Sequence, residues 1–252
     1  MRNAALVFLC FICISLSFLS ALGQVPGKYF ADWSRLPGGT QSLGVSTSYS
    51  PDSSHIFIGL AEQRRTWTEG VEYTHLLSYG NRLRWDYEGS VTPLYAESDP
   101  VSIGMTTTVA GTTYVTPEAP QRVTFVSRAP VGVAHALNGA TAPIYPLYGR
   151  QTTYAAGVAP LGARVTAFPD KALRLSFAVD LGFVVSPRDI PVDLSDQFNY
   201  MFAFGPGVEL YTSQSSSVRL EYIYRHISNA NEGFVNPGVD QGVVRLTVSH
   251  HR

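Results

Sequence analysis

Between Arg82 and Glu88 the polar residues Arg82, Arg84, Asp86 and Glu88 alternate with Leu83, Trp85 and Tyr87. A period of two belongs to a β-strand, where successive side chains point to opposite faces. The pattern returns from Leu173: Leu173, Leu175, Phe177, Val179, Leu181 and Phe183 share one face, and Arg174, Ser176 and Asp180 the other. It returns again where Val218, Leu220, Tyr222 and Tyr224 interleave with Arg219, Glu221 and Arg225. Each of these strands is apolar on one side only. Clusters of Gly, Pro, Ser, Asp and Asn bound further expected strands near 41–50, 55–64, 66–78, 152–166, 198–212 and 242–250, giving nine candidates. Residues 98–151, rich in Thr, Pro, Ala and Gly, break the regular spacing and are expected to form one large surface loop.

No segment shows a sustained helical stripe, and beyond the first 23 residues no apolar run is long enough for a membrane helix. The fold class is therefore all-β. Single-chain bacterial outer-membrane barrels use even strand numbers, so the first two candidates are taken as one bent strand or a strand plus flap. The expected architecture is an eight-stranded antiparallel transmembrane β-barrel with one long extracellular loop. Alternation alone leaves open which face points outward. A soluble lipocalin-like barrel buries its apolar face around a ligand, whereas a membrane barrel turns that face to lipid. Long strands, 14 Tyr with 13 Phe, and charges of both signs on the polar face favour the membrane.

Residues 1–23 read as a secretory signal, with Arg2 ahead of a nearly all-apolar stretch and Ala21-Leu22-Gly23 before an expected cleavage at Gln24. The barrel domain then covers 24–252. Both cysteines, Cys10 and Cys13, fall inside the signal, so the exported chain has neither disulfides nor thiolate metal sites. A net charge of −1 without any basic block excludes nucleic acid as a partner.

Candidate chemistry lies in Tyr224-Arg225-His226-Ile227-Ser228-Asn229-Ala230 and the downstream Asn236-Pro237-Gly238-Val239-Asp240. On a strand, His226 and Ser228 share a face with Cα atoms about 7 Å apart, which makes a base and a nucleophile neighbours. If strands 218–229 and 242–250 form a hairpin across the 230–241 loop, Asp240 returns near His226 and completes a Ser-His-Asp order of roles. By parity His226 and Ser228 continue the apolar face of Val218, Leu220, Tyr222 and Tyr224, and Asp240 continues that of Val244, Leu246 and Val248. Polar groups on a lipid-facing wall are costly unless they pair or act, which points to a lipid substrate. The same spacing also fits a hydrogen-bonded His and Ser closing a strand end beside an Asn-rich turn.

The C-terminal third resembles the lipid A 3-O-deacylase (PagL-type) family and its acyloxyacyl hydrolase-like relatives. The segments just quoted carry the resemblance. It extends more weakly through Phe198-Asn199-Tyr200, Phe204-Gly205-Pro206-Gly207 and 154–162, covering about residues 150–250. The resemblance implies an outer-membrane barrel with its active site on the outer wall, where a serine esterase removes an ester-linked acyl chain from lipid A without a cofactor or metal. Ser228 matches the nucleophile, His226 the general base, and Asn229 and Asn236 positions that support the oxyanion. The acid, fourteen residues beyond the histidine, is a Glu in the family pattern and Asp240 here.

Glu232 is a second candidate acid but sits mid-loop. His250 and His251 point to opposite faces of one strand, which disfavours a chelate, and His55, His75 and His135 are scattered. Tyr222, Tyr224 and Trp85 read as interface-belt aromatics. The chain ends Val248-Ser249-His250-His251-Arg252, without the terminal aromatic many outer-membrane barrels carry. Two other functions fit the pattern: a non-catalytic structural barrel of the outer membrane, and a soluble periplasmic lipocalin-like lipid carrier.

Overall fold

The computed structural model describes residues 39–136 and 139–252; the expected signal at 1–23 lies outside them. Ten strands follow in chain order: β1 Gln41–Ser50, β2 Arg65–Tyr79, β3 Leu83–Val109, β4 Thr112–Arg122, β5 Gly132–His135, β6 Thr141–Ala167, β7 Leu173–Ile190, β8 Asp196–Ser213, β9 Ser216–Ser228 and β10 Val239–His251. All pairings are antiparallel. β1 joins β10, and β3 joins β6, which closes β1-β2-β3-β6-β7-β8-β9-β10 into an eight-stranded barrel.

Of the two readings of the first two candidates, a bent strand or a strand plus flap, the structure has the second, and the expectation for 98–151 is corrected. Residues 55–64 alternate Ile56, Ile58 and Leu60 like a strand, yet they form an irregular flap between β1 and β2. The flap lies against residues 237–241, through Leu60 N–H to Pro237 O (2.5 Å), Ala61 N–H to Gly238 O (3.0 Å), and a bridge between Ser53 and Gln241. Residues 98–151 are not one loop. β3 and β6 run on through them, with β4 paired to the upper part of β3 and β5 to that of β6, as a four-stranded fin. The fin hides from pattern reading because β4 is exposed from Thr112 to Gln121 on both faces. With neither face buried, nothing selects an alternation of apolar and polar residues.

The barrel is apolar outside and charged inside. Leu43, Val45, Leu175, Phe177, Val179, Leu181, Leu220, Tyr222, Val244 and Leu246 are all exposed on the outer wall. Inside, Arg164 reaches Glu221 (2.6 Å) and Glu88 (2.6 Å), Arg245 reaches Glu221 (2.7 Å) and Asp180 (3.4 Å), and Arg219 pairs with Glu72. Charges survive such burial only when paired. This inside-out distribution is that of a transmembrane barrel and opposite to that of a lipocalin, whose lumen is apolar. Above the ion-pair layer Tyr95, Val184, Ile190 and Ile227 form a small apolar cluster. The upper mouth is closed by Arg64, which is fully buried and donates to the carbonyls of Glu62, Val123, Thr124 and Pro191.

Candidate active site

β9 and β10 are an antiparallel hairpin, joined by residues 229–238, whose register places Asp240 directly opposite His226. β10 starts at Val239, three residues earlier than the hydrophobic pattern suggests, so Asp240 is a strand residue and not a loop residue. Directly opposed residues have Cβ atoms about 4.5–5.5 Å apart, within reach of an imidazole–carboxylate contact. The contact is made: His226 Nδ1 lies 2.6 Å from Asp240 Oδ1. An ionised carboxylate only accepts, so Nδ1 carries the proton and Nε2 is left with a lone pair for a base.

Both residues face outward by strand parity. Their neighbours Arg225 and Gln241 face the lumen and bond to each other there. Yet Asp240 is 0% and His226 only 5% exposed. The flap supplies the cover. Phe57 N–H (2.6 Å) and Ile58 N–H (2.9 Å) both donate to Asp240 Oδ2, and Tyr224 Oη–H donates to Oδ1 (2.8 Å). Four donors thus converge on one carboxylate. The ring of Phe57 stands edge-on to Tyr224 with centroids 4.9 Å apart, and Phe202 lies 5.1 Å from the imidazole.

Two glycines make this packing possible. A Cβ at Gly59 would lie 2.5 Å from Asp240 N and 2.8 Å from its Oδ1. One at Gly238, whose φ is +58°, would lie 2.9 Å from His226 Cε1. Such separations are below any van der Waals contact, so the flap and the Asn236-Pro237-Gly238 turn can close on the pair only without side chains.

Ser228 is the last residue of β9, half-buried, on the same outward face as His226. Ile227 between them points inward and is 1% exposed in the apolar cluster, which fixes the strand carrying both. Among the described residues no hydrogen bond joins Ser228 to His226. Strand spacing puts their Cα atoms about 7 Å apart on that face.

The other predicted residues are in the following loop. Asn229 Nδ2 donates to Val235 O (2.9 Å), its Oδ1 accepts from Asn231 N (3.0 Å), and its own N–H donates to Asn236 Oδ1 (3.2 Å). Asn236 Nδ2 donates to Asn231 Oδ1 (3.2 Å). Ala230 and Asn231 have φ of +53° and +68°, a left-handed pair that turns the chain back sharply after Ser228. Both asparagines therefore order the loop beside the serine, and Asn229, 1% exposed, is turned into it.

Glu232 accepts from Tyr200 Oη (3.2 Å), while the histidine's carboxylate is Asp240. His55 Nδ1 contacts Gly59 O (2.7 Å) inside the flap. His251 points into the lumen beside Ser217 (2.8 Å), and no cluster of metal-ligating groups occurs among the described residues. Sequence reasoning missed Tyr224, read as a belt aromatic, and the flap amides of Phe57 and Ile58. The Tyr-x-His spacing, with both residues on one face, was the available signal for Tyr224. Backbone donors leave none.

No family model and no curated protein matches the chain. Among solved structures it is similar to the outer membrane enzyme PagL, at 13% identity over 82% of this chain and 97% of that one, with a TM-score of 0.45. It is also similar to Neisserial surface protein A, at 10% identity over 85% and 98% with a TM-score of 0.43. A third similarity is to the outer membrane protein OprG from Pseudomonas aeruginosa, at 11% identity over 84% and 95% with a TM-score of 0.38.

Proposed function

We propose that the protein is an outer-membrane serine esterase that removes an ester-linked acyl chain from lipid A of lipopolysaccharide. The observation that carries this reading is the His226–Asp240 pair, shielded by the flap on a largely apolar outer wall, with Ser228 beside it. Polar groups on that wall are costly unless they pair or act, and a catalytic role on a lipid gives the pair a use. The inside-out barrel, with the export signal expected from the sequence at 1–23, fits an outer-membrane address.

In the reaction, Nε2 of His226 takes the Ser228 hydroxyl proton as Oγ attacks the ester carbonyl. The oxyanion donor in this reading is a backbone N–H of the 229–236 loop, since the side-chain amides of Asn229 and Asn236 engage Val235 O and Asn231 Oδ1. Its collapse breaks the bond to the sugar oxygen, which receives the proton from His226. Water, deprotonated by the same nitrogen, then attacks the acyl-serine, and the free fatty acid departs as Ser228 regains its proton. Asp240 holds the imidazole tautomer and offsets the imidazolium charge.

The test is mass spectrometry of lipid A from a Gram-negative host without a deacylase of its own, with and without the protein. Expression is expected to remove the mass of one acyl chain. Ser228→Ala and His226→Ala should assemble normally and each abolish that change, since nucleophile and base act as a unit. Unaltered lipid A in the presence of correctly assembled wild-type protein, or undiminished release by Ser228→Ala, would overturn the reading.

A further inference from the structure

The flap over Asp240 performs more than cover. Between Ser53 and Ala61 it has no hydrophobic core of its own. Ile56, Phe57, Ile58 and Leu60 are 41–63% exposed on the outer side. It is fastened instead by backbone bonds to the β9–β10 turn and the start of β10, including Ser54 N–H to Asp240 O (3.2 Å), Leu60 N–H to Pro237 O and Ala61 N–H to Gly238 O. Within that strap, two consecutive amides, those of Phe57 and Ile58, are spent on one oxygen of the carboxylate that faces His226. Gly59 is then pressed against the same residue at a distance no other side chain allows. Asp240 Oδ1 is left with His226 and Tyr224.

We infer that the 53–61 flap is a positioning element of the active site, holding the Asp240 carboxylate through the Phe57 and Ile58 amides while its exposed apolar side chains contact the acyl region of the lipid substrate. The inference rests on the esterase reading and adds a part to it: the site is built from the β1–β2 connection as well as from β9 and β10. A carboxylate fixed at one oxygen by two backbone donors can rotate neither away from the imidazole nor toward water. Displacement of a catalytic group by about 1 Å is enough to lower turnover about 100-fold. The two halves of the flap are separable at Ile56, an exposed side chain, whereas the Phe57 ring also packs against Tyr224 beside Asp240.

Gly59→Ala tests the first half, since its methyl group meets Asp240 backbone and must push the flap outward. Its kcat for ester release in detergent micelles is expected to fall about 100-fold with KM within about twofold of wild type. Ile56→Ala removes an exposed flap side chain whose amide bonds Ser54 O and not Asp240, so KM is expected to rise about tenfold with kcat little changed. Gly80→Ala, in the open β2–β3 turn where the nearest atom is 3.6 Å away, is the control and retains wild-type rates. Heat-dependent gel mobility reports whether each variant is a folded barrel. Independently of catalysis, hydrogen exchange in the wild-type protein should show the Phe57 and Ile58 amides strongly protected, and a low-field Nδ1–H resonance of His226 should be present and shift in Gly59→Ala. Folded Gly59→Ala with wild-type kcat, or Phe57 and Ile58 amides exchanging as fast as that of the exposed Gly111, would overturn the inference. Loss of activity in wild type as well would instead overturn the esterase reading, and the exchange measurement would still decide whether the flap is docked.

Discussion

Asp240→Asn changes one atom in a site where that atom has no acceptable place. The native carboxylate accepts four hydrogen bonds, from Phe57 and Ile58 on one oxygen and from His226 and Tyr224 on the other. Asparagine offers one acceptor and one donor group. If its oxygen faces the flap, its NH₂ faces Nδ1, which must then give up its proton. The imidazole adopts the other tautomer, and Nε2 can no longer accept from Ser228. A wrong tautomer of this kind lowers serine-hydrolase turnover by about 10⁴, or about 5.5 kcal/mol of transition-state stabilisation. If the NH₂ faces the flap instead, it opposes two amide donors, and each buried group left unpaired costs about 1–3 kcal/mol of stability. The first arrangement loses less folding energy, so the expected phenotype is an intact barrel with turnover reduced about 10⁴-fold. Initial rates of fatty-acid release from purified lipid A, beside gel mobility of heated and unheated samples, measure both quantities. Asp240→Asn within tenfold of wild-type kcat would refute the role of Asp240 as the histidine's orienting acid.

Four further outcomes are expected. Glu232→Gln should leave ester release nearly unchanged, because Glu232 bonds Tyr200 at the surface; a loss larger than that of Asp240→Asn would transfer the acid's role to it. Asp240→Glu should retain measurable but reduced activity, since the carboxylate is kept while the extra methylene crowds the Gly59 contact; rates at or above wild type would show that the flap has slack. Arg245→Leu leaves Asp180 without its ion pair and takes one of the arginine partners from Glu72, Glu88 and Glu221, and should destabilise the barrel by about 3–5 kcal/mol, read as a lower urea midpoint; an unchanged midpoint would contradict the ion-pair layer. Thr112→Cys at the fin tip should react with a membrane-impermeant maleimide on intact cells and Lys171→Cys, in the β6–β7 turn, should not; the reverse would invert the topology.

The parts of the fold readable in the sequence are those with one face against lipid and one against the lumen. β7 and β9 alternate because Phe177 and Ser176, or Tyr222 and Glu221, meet different surroundings. Where that contrast disappears, the pattern misleads. The flap alternates Ile56, Ile58 and Leu60 without being a strand, because its peptide groups bond to the β9–β10 turn and to the Asp240 carboxylate. The fin is a sheet without alternation because water meets both faces of β4. Within the candidate site, the His226–Asp240 contact and the shared face of His226 and Ser228 were legible from parity and spacing. The cover was not. It comes from a segment some 180 residues away and acts through main-chain N–H groups, which every sequence encodes equally. Asn229 and Asn236 were legible as polar residues near the serine, but their mutual bonds through Asn231 depend on the left-handed turn at Ala230 and Asn231.

The β3–β6 ladder has a consequence for how such a chain can vary. Its lower part, from Leu83 opposite Ala167 to Ser98 opposite Thr152, closes the barrel, and there β2 is the other neighbour of β3. Above that level β3 exchanges β2 for β4, and the ladder leaves the ring without any shift in which residue opposes which until Gly104. Barrel diameter and strand tilt are set by the lower part alone. Reach above the membrane is set by the upper part, about 35 Å for the eleven residues Asp99–Val109 of β3. In the order of the ring, β3 and β6 lie diametrically opposite β9 and β10. Residue pairs can therefore be added to or removed from the fin tip as matched insertions, altering height with neither circumference nor the hairpin that carries Ser228 and His226 being disturbed. The wall through which a lipid would approach and the wall that carries the fin are free to diverge at different rates.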